Sequence, residues 1–412
     1  MEYVIVGNSA AAVGAIEGIR QIDREGRITV ISSEKHHTYS RPLISYLIQG
    51  KTDRQRMKYR QDSFYDDFGC RTVFNKTAVA IDRESKKLFL EDGEAVSYDK
   101  LLMASGSSPF IPPMTGLETV SKHFSFMSLD DAEALEKALF PEAKVLIIGA
   151  GLIGLKCAEG IAAVTGKITV IDLAPRILSS ILDDEGAQIV QAHLEKQGID
   201  FRLGVSVKRF ASNKAELTSG ENMHFDILVT AVGVRPNVGL IKGAGGEIDK
   251  GIVVNERMET TIPDIYAAGD CAVSYDLSSD TRRILALLPN AYSGGYAAGI
   301  AMAGGEPPEL KSMPMNAIGF FGLHIITAGT YDGEVFETKE GENYKKLFYS
   351  NDALRGFIMI GNADKAGIYT AMIREKTPLS SIDFELICGK PSLMAFSRSY
   401  RDQKLGGKTH EN

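Results

Sequence analysis

Val145-Leu146-Ile147-Ile148-Gly149-Ala150-Gly151-Leu152-Ile153-Gly154 is a β-branched apolar run that ends in a turn of small residues. The run predicts a buried strand, the glycines a tight turn, and the residues beyond them a helix. A related stretch opens the chain: Tyr3-Val4-Ile5-Val6-Gly7-Asn8-Ser9-Ala10-Ala11-Ala12. A strand that passes through such a turn into a helix brings backbone N–H groups, and the positive end of a helix dipole, up to a pyrophosphate. Two such units predict two dinucleotides, with electrons passing from one to the other.

The chain around each turn continues the pattern. After the first turn, Val13 to Ile22 has helical spacing and Arg27-Ile28-Thr29-Val30-Ile31 reads as the next strand. After the second, a helix starts near Leu152 and Lys167-Ile168-Thr169-Val170-Ile171 is the returning strand. Each unit has a later apolar strand that closes on small residues: Lys100 to Gly106 in the first and Phe225 to Gly233 in the second. Residues 71–98 read as short strands with polar turns such as Asp92-Gly93. Pro109-Phe110-Ile111-Pro112-Pro113 reads as a domain crossing, and 129–139 as an amphipathic helix. From about residue 313 the texture changes to alternating apolar runs, 317–327 and 344–349, followed by helical segments. That order predicts a smaller α+β tail domain.

The two turns differ in detail. Gly149, Gly151 and Gly154 complete Gly-x-Gly-x-x-Gly, and Asp172 ends the next strand, 23 residues beyond Gly149. A carboxylate there accepts from an adenosine ribose 2′-hydroxyl and repels a 2′-phosphate, which favours NADH over NADPH. Arg176, four residues on, weakens that preference. In the first turn Ser9 and Ala12 stand at the second and third glycine positions. The acid also arrives late, as Glu34 after Ser32 and Ser33, so Glu34 is the candidate ribose ligand and the serines are alternates. A long remote stretch, Thr260-Thr261-Ile262-Pro263-Asp264-Ile265-Tyr266-Ala267-Ala268-Gly269-Asp270, reads as a strand ending in Gly-Asp. An Asp at that place can bind a ribityl hydroxyl of a flavin.

Bulk properties narrow the class. A length of 412 residues predicts two or three domains, and 44% hydrophobic content supplies a sizeable core. The net charge of −7 argues against nucleic acid as a main partner. Met1-Glu2 runs straight into a strand, which leaves no room for a signal peptide, and no apolar stretch of membrane-spanning length occurs. Cys70, Cys157, Cys271 and Cys388 are scattered without a Cys-x-x-Cys pair, so no metal or iron–sulfur site is expected. His36, His37 and His324 show no ligand spacing either. A cytoplasmic protein is the simplest reading.

These motifs together resemble the pyridine nucleotide-disulfide oxidoreductase family of two-dinucleotide-domain flavoproteins. The residues that carry the resemblance are the Gly7 loop, Ala104-Ser105-Gly106, the Gly149 loop, Gly233-Val234-Arg235-Pro236-Asn237 and Gly269-Asp270. The resemblance implies an α/β fold with two Rossmann-like domains and a C-terminal α+β interface domain. The FAD domain, 1–111 and 241–312, would be split by an NAD domain at 112–240, with 313–412 as the tail. It implies FAD contacts from Gly7, Ser9, Ala10, Ala11, Ala12, Ser33, Glu34, Arg41, Pro42, Val79, Ala104, Ser105, Gly106, Gly269, Asp270, Asn290 and Ala291. NADH contacts would come from Gly149, Gly151, Leu152, Ile153, Gly154, Asp172 and Gly233. Leu288-Pro289-Asn290-Ala291 opens a Gly/Ala-rich helix whose N-terminus the family points at the flavin.

Two departures shape the functional reading. Disulfide-reducing members need a cysteine beside the flavin, and the equivalent stretch here, Tyr39-Ser40-Arg41-Pro42-Leu43-Ile44-Ser45, has none. That stretch resembles the branch of NADH:rubredoxin reductases, ferredoxin reductases and the nitrite reductase flavin domain. There Arg41 and Pro42 would lie against the flavin, with Arg41 contacting phosphate or the reduced ring. The second departure is Lys156, where the family often has Glu. Lys156 either biases the flavin or pairs with a carboxylate such as Glu159 on the same helix. The expected activity is hydride transfer from NADH to FAD, with electrons leaving to a small redox protein or a partner subunit. An NADH oxidase or quinone reductase is one alternative, and a non-catalytic redox-sensing flavoprotein is another. The resemblance also allows a homodimer through the tail domain. Met315 to Leu323 would form core or line an acceptor edge.

Overall fold

The computed structural model describes residues 1–405. They form two compact units. The first comprises 1–180, 194–275 and 282–312, and the second comprises 181–193, 276–281 and 313 onward.

The first unit holds two five-stranded sheets whose neighbouring strands all pair in parallel. One runs, edge to edge, Ile265–Ala267, Lys100–Met103, Glu2–Val6, Arg27–Ser32 and Cys70–Phe74. The other runs Ile199–Leu203, Lys167–Asp172, Lys144–Ile148, Ile227–Thr230 and His123–Phe124. Parallel strands are covered on both faces, which is why these read as unbroken apolar runs without alternation. Tyr3 to Val6 and Val145 to Ile148 are buried throughout. In both sheets the strand before the glycine turn has its successor on one side and a later strand, ending at Met103 or Thr230, on the other. That reversal opens a crevice at the strands' carboxyl ends, the place where open α/β sheets bind ligands.

Helix Ala10–Ile22 follows the first turn and packs closely on helix Leu288–Met302. The contact is backbone against backbone. A methyl on Gly14 would fall 2.2 Å from the Tyr292 carbonyl oxygen, and one on Gly295 would fall 1.9 Å from that of Ala11. Helix Leu152–Ile161 follows the second turn. Helix Leu129–Ala138 begins with a reciprocal cap in which Ser128 and Asp131 satisfy each other's backbone N–H groups. Short antiparallel sheets, including Ala78–Asp82, Lys87–Leu90 and Ala95–Ser97, complete the unit.

The second unit has a five-stranded antiparallel sheet in the order Met315–Phe320, Leu323–Gly329, Ala353–Ile360, Asn343–Ser350, Glu334–Glu340. Phe321 and Gly322, both at positive φ (47° and 89°), make its first hairpin turn. Met315 and Ile326 pack against this unit's core, which includes Leu347, Phe357 and Tyr369. Segment 181–193 belongs here through Asp183, which accepts from Tyr344 Oη at 2.7 Å and Lys346 Nζ at 2.8 Å. Among the described residues no helix is long and apolar enough to cross a membrane, and no cluster of three or more potential ligands could hold a metal.

Candidate functional site

A cavity of about 650 Å³ occupies the crevice of the first sheet. Gly7, Ser9, Ala10, Ala11, Ser33, Glu34, Arg41, Ala104, Ser105, Gly106, Gly269, Asp270 and Ala291 all line it. These come from six separated stretches of sequence, and the sheet order is what gathers them.

The Gly7 turn forms the floor. Gly7 sits at φ 119°, and a methyl there would lie 2.0 Å from the Ala104 carbonyl oxygen, so only glycine fits. Helix Ala10–Ile22 starts beside it with Ser9 as N-cap, no capping side chain and no acid in its first turn. Its first-turn N–H groups therefore have no side-chain acceptor, the condition for receiving a phosphate. Opposite, Asp270 accepts from Ser107 Oγ at 3.3 Å. Burial pushes its carboxyl above the ordinary range, against the opposing effects of Ser107 and Arg41. A half-buried carboxylate with one long hydroxyl contact has acceptor capacity left for ligand hydroxyls. The cavity thus offers a phosphate cradle on one side and a hydroxyl acceptor on the other, which fits FAD.

Arg41 and Glu34 form an ion pair in the wall, and Tyr39 Oη donates to the second Glu34 oxygen at 2.7 Å. Burial works against the Arg41 charge, but Tyr39 and Glu34 outweigh it and hold the guanidinium protonated. Glu34 lines the site already engaged by two partners, so any ribose contact uses its remaining lone pairs.

Several predicted contacts lie elsewhere. Pro42 is exposed and sets the short 3-10 turn Arg41–Leu43. Ala12 is fully buried beneath the turn. Val79 is 53% exposed, because the pairing register shifts between Ala78 and Ala80 and leaves it as the extra residue. Lys76, Thr77 and Ala78 line the cavity in its place. In helix Leu288–Met302 the lining residues are Leu288 and Ala291, the residues flanking Pro289-Asn290. Residues 127–131 were not anticipated: Met127, Ser128 and Asp131 also line the cavity. Their capping pattern is visible in sequence, but their place beside the cavity is a tertiary fact. Asn237, from the quoted Gly233–Asn237 motif, also lines it. Its side chain donates to Ser105 O at 2.8 Å and accepts from Ser108 Oγ at 2.8 Å, fastening the two chain crossings together.

The second turn repeats the first. Gly149, at φ 113°, would place a methyl 2.3 Å from the Ala231 carbonyl oxygen. Gly151 is the N-cap of helix Leu152–Ile161, which likewise lacks a capping side chain and a first-turn acid. Gly233 has φ 133° with open space around it. Asp172 accepts from Ala150 N at 2.6 Å and Ala174 N at 2.7 Å, so it braces the turn. Each carboxylate oxygen keeps a lone pair for a ribose hydroxyl, and the site fits NADH. Lys156 pairs with Glu159 on the same helix and lies 4.5 Å over the Tyr46 ring, so the ion-pair alternative describes its geometry.

Cysteine chemistry has no foothold beside the cavity. Cys271 is fully buried, with its thiol directed to the Met103 and Ala268 carbonyls and its ionisation pushed up by burial. Cys157 is also fully buried, and burial raises its thiol as well.

Residues 1–295 match the family profile described as pyridine nucleotide-disulphide oxidoreductase. The chain belongs to that family. It is 33% identical to the epsilon subunit of NADH-dependent phenylglyoxylate dehydrogenase of Aromatoleum evansii, over 92% of this chain and 93% of that one. It is 30% identical to rubredoxin-NAD(+) reductase of Pseudomonas putida, over 77% of this chain and 86% of the relative. The assimilatory nitrate reductase electron transfer subunit of Bacillus subtilis is 29% identical, but there the chain spans 49% of the relative's length. Among solved structures, putidaredoxin reductase in covalent complex with putidaredoxin matches with a TM-score of 0.88 at 22% identity, over 99% of both chains. That likeness shows the two-Rossmann α/β fold.

Proposed function

We propose that this chain is an FAD-dependent NADH:acceptor oxidoreductase that passes electrons to a separate redox protein or partner subunit. In this reading, 1–111 and 241–312 hold FAD, 112–240 holds NADH, and 313–412 forms the tail domain of a cytoplasmic enzyme. The observation that carries it is the pairing of two uncapped glycine-turn helices with a flavin-sized cavity that has no cysteine in its Tyr39–Ser45 wall. A bound flavin supplies the exchange between two-electron and one-electron transfer.

The chain's own residues bind and orient. The first-turn N–H groups of Ala10 and Ala11 take a pyrophosphate, Asp270 takes hydroxyls, and the Leu288–Met302 helix brings the positive end of its dipole to the cavity, which its first-turn residues Leu288 and Ala291 line. Asp172 selects the ribose of NADH. With no accessible thiolate in the cavity wall, electrons leave without a mixed disulfide. The relatives named for rubredoxin and for a dehydrogenase subunit support an external carrier or a larger assembly as acceptor.

Anaerobic NADH should bleach the yellow flavin spectrum of the purified protein. A colourless protein that FAD cannot reconstitute overturns the proposal. A second reading follows from the 32% identity to an NADH oxidase of Methanocaldococcus jannaschii over 74% of this chain. Turnover with oxygen that exceeds turnover with rubredoxin or ferredoxin would favour it.

A further inference from the structure

The Tyr39 hydroxyl joins three segments in the wall of the flavin cavity. It donates to Glu34 Oε2 at 2.7 Å. It accepts from the Leu129 N–H at 2.9 Å and from Arg41 Nη1 at 3.2 Å. A phenol has one hydrogen and two lone pairs, so these partners use everything it offers. The ring is buried, and the Arg41 guanidinium carbon lies 5.3 Å from its centroid. Glu34 and Arg41 both line the cavity, as do Met127 and Ser128 immediately before Leu129.

We infer that Tyr39 is a positioning residue for the dinucleotide: its hydroxyl locks the Glu34–Arg41 pair against the start of helix Leu129–Ala138, so that carboxylate and guanidinium meet ribose and phosphate in one fixed geometry. This rests on the FAD reading above. Both members of the pair are long, partly exposed side chains, which free in solution would sample many rotamers and bind an anion weakly. Arg41 spends Nη2 on Glu34 and Nη1 on Tyr39 and the Met127 carbonyl. A guanidinium carries five N–H donors, so donors remain for a phosphate. Burial raises the ionisation of the phenol, so it stays a neutral donor at neutral pH. The role was not visible in the sequence, because Leu129 lies 90 residues from Tyr39.

The test is Tyr39→Phe, which keeps the ring and removes the hydroxyl. Apoprotein is titrated with FAD and binding is read by quenching of flavin fluorescence. Loss of a hydrogen bond to a charged group predicts a rise in FAD Kd of about tenfold, while the KM for NADH holds. Glu34→Gln reads the same bond from its other end and should cost about as much. The double variant should then fall well short of the roughly hundredfold loss that independent effects would give. Wild-type FAD affinity in either variant, a fully multiplicative double variant, or a parallel rise in the KM for NADH would each overturn the proposal. If Tyr39→Phe does not fold, Leu129→Pro, which removes the N–H donor to Tyr39 at the first position of its helix, decides it by the same readout. A wild-type protein that binds no FAD overturns the cofactor reading itself, whereas loss confined to the comparison of variants overturns only the role of Tyr39.

Discussion

In both α/β units the first glycine of the turn donates its N–H to the strand alongside, Gly7 to Ile31 O and Gly149 to Ile171 O, each at 2.8 Å. In both, a methyl on that glycine would strike a backbone carbonyl, Ala104 in one and Ala231 in the other. Beyond this shared point the two turns separate. At the third position a methyl on Gly154 would fall 1.9 Å from the Gly149 oxygen, whereas the first turn carries Ala12 with its methyl fully buried. At the end of the second strand, Asp172 braces its own turn through Ala150 N–H. The residue at the same register in the first sheet is Ser32, and the acid two residues later is turned to Arg41 and Tyr39. The lesson is that the strand-to-turn geometry is the invariant part of the device. The carboxylate at the strand end and the later glycines are interchangeable with other means of support.

The largest expected effect tests the invariant part. Gly7→Ala and Gly149→Ala each force a side chain at positive φ into backbone, at a cost of about 3 kcal/mol or more locally. Gly7→Ala should yield protein without flavin absorbance. Gly149→Ala should stay yellow yet lose reduction by NADH in stopped-flow mixing. Equal loss of flavin from both would break the assignment of one dinucleotide to each turn.

Asp172→Ala comes next. It leaves the Ala150 and Ala174 N–H groups without their acceptor and removes the proposed ribose partner, so the KM for NADH should rise about tenfold or more. FAD content should not change. A retained KM would mean that the bracing, and the carboxylate, are dispensable in the second turn as they are in the first.

Gly151→Ser gives a smaller effect and sharpens the contrast, because it copies Ser9 into the second turn. Gly151 has φ −83° and ψ −173°, allowed for any residue, and nothing lies within 4 Å of an added methyl. Thermal stability should therefore hold. The KM for NADH should rise by roughly threefold, since the serine narrows the approach of the pyrophosphate.

The smallest expected effect concerns Asp270. Its carboxyl is raised by burial, so the folded protein favours the protonated form. The sign follows: that preference helps stability below the ordinary carboxylate range and is lost as pH rises through the folded-state value. Above that value the ionised carboxyl is a half-buried charge in the apoprotein, and there Asp270→Asn should raise the Tm by about 2 °C. The gain should fade as pH falls through the folded-state value, where the wild-type carboxyl takes up its proton. FAD affinity should fall in the same variant. A Tm that drops at pH 7 would show that the charge is stabilised rather than tolerated.

Much of this was legible in the sequence. The two turns, their flanking strands, Gly269-Asp270 and the cysteine-free Tyr39–Ser45 stretch carry local signals, because each depends on residues within one strand–turn–helix. What escaped depends on distant partners. The Gly14/Gly18 and Gly295/Gly299 spacings are plain to see, yet they mark a helix contact only once methyls at those sites are set against Tyr292, Tyr296, Ala11 and Ala15 backbone. Val79 was misplaced by a single-residue register shift, which no alternation pattern records. Segment 181–193 joins the second unit through Asp183 and its bonds to Tyr344 and Lys346, and nothing in that segment alone announces the partners.

The strand Ile265–Ala267 completes the first sheet beside Lys100–Met103, and the residues that follow it supply Asp270. A ribosome delivers that strand after the whole of the other sheet, His123 to Thr230, has already emerged. The inserted unit can therefore close on itself while the surrounding one is still missing an edge and one wall of its cavity. Loading of the flavin is then the last act of biogenesis. A nascent chain halted just before Ile265 should resist protease across the sheet strands of 123–172 and 199–230, and leave the flanking 1–111 and the segment 181–193 open to cleavage.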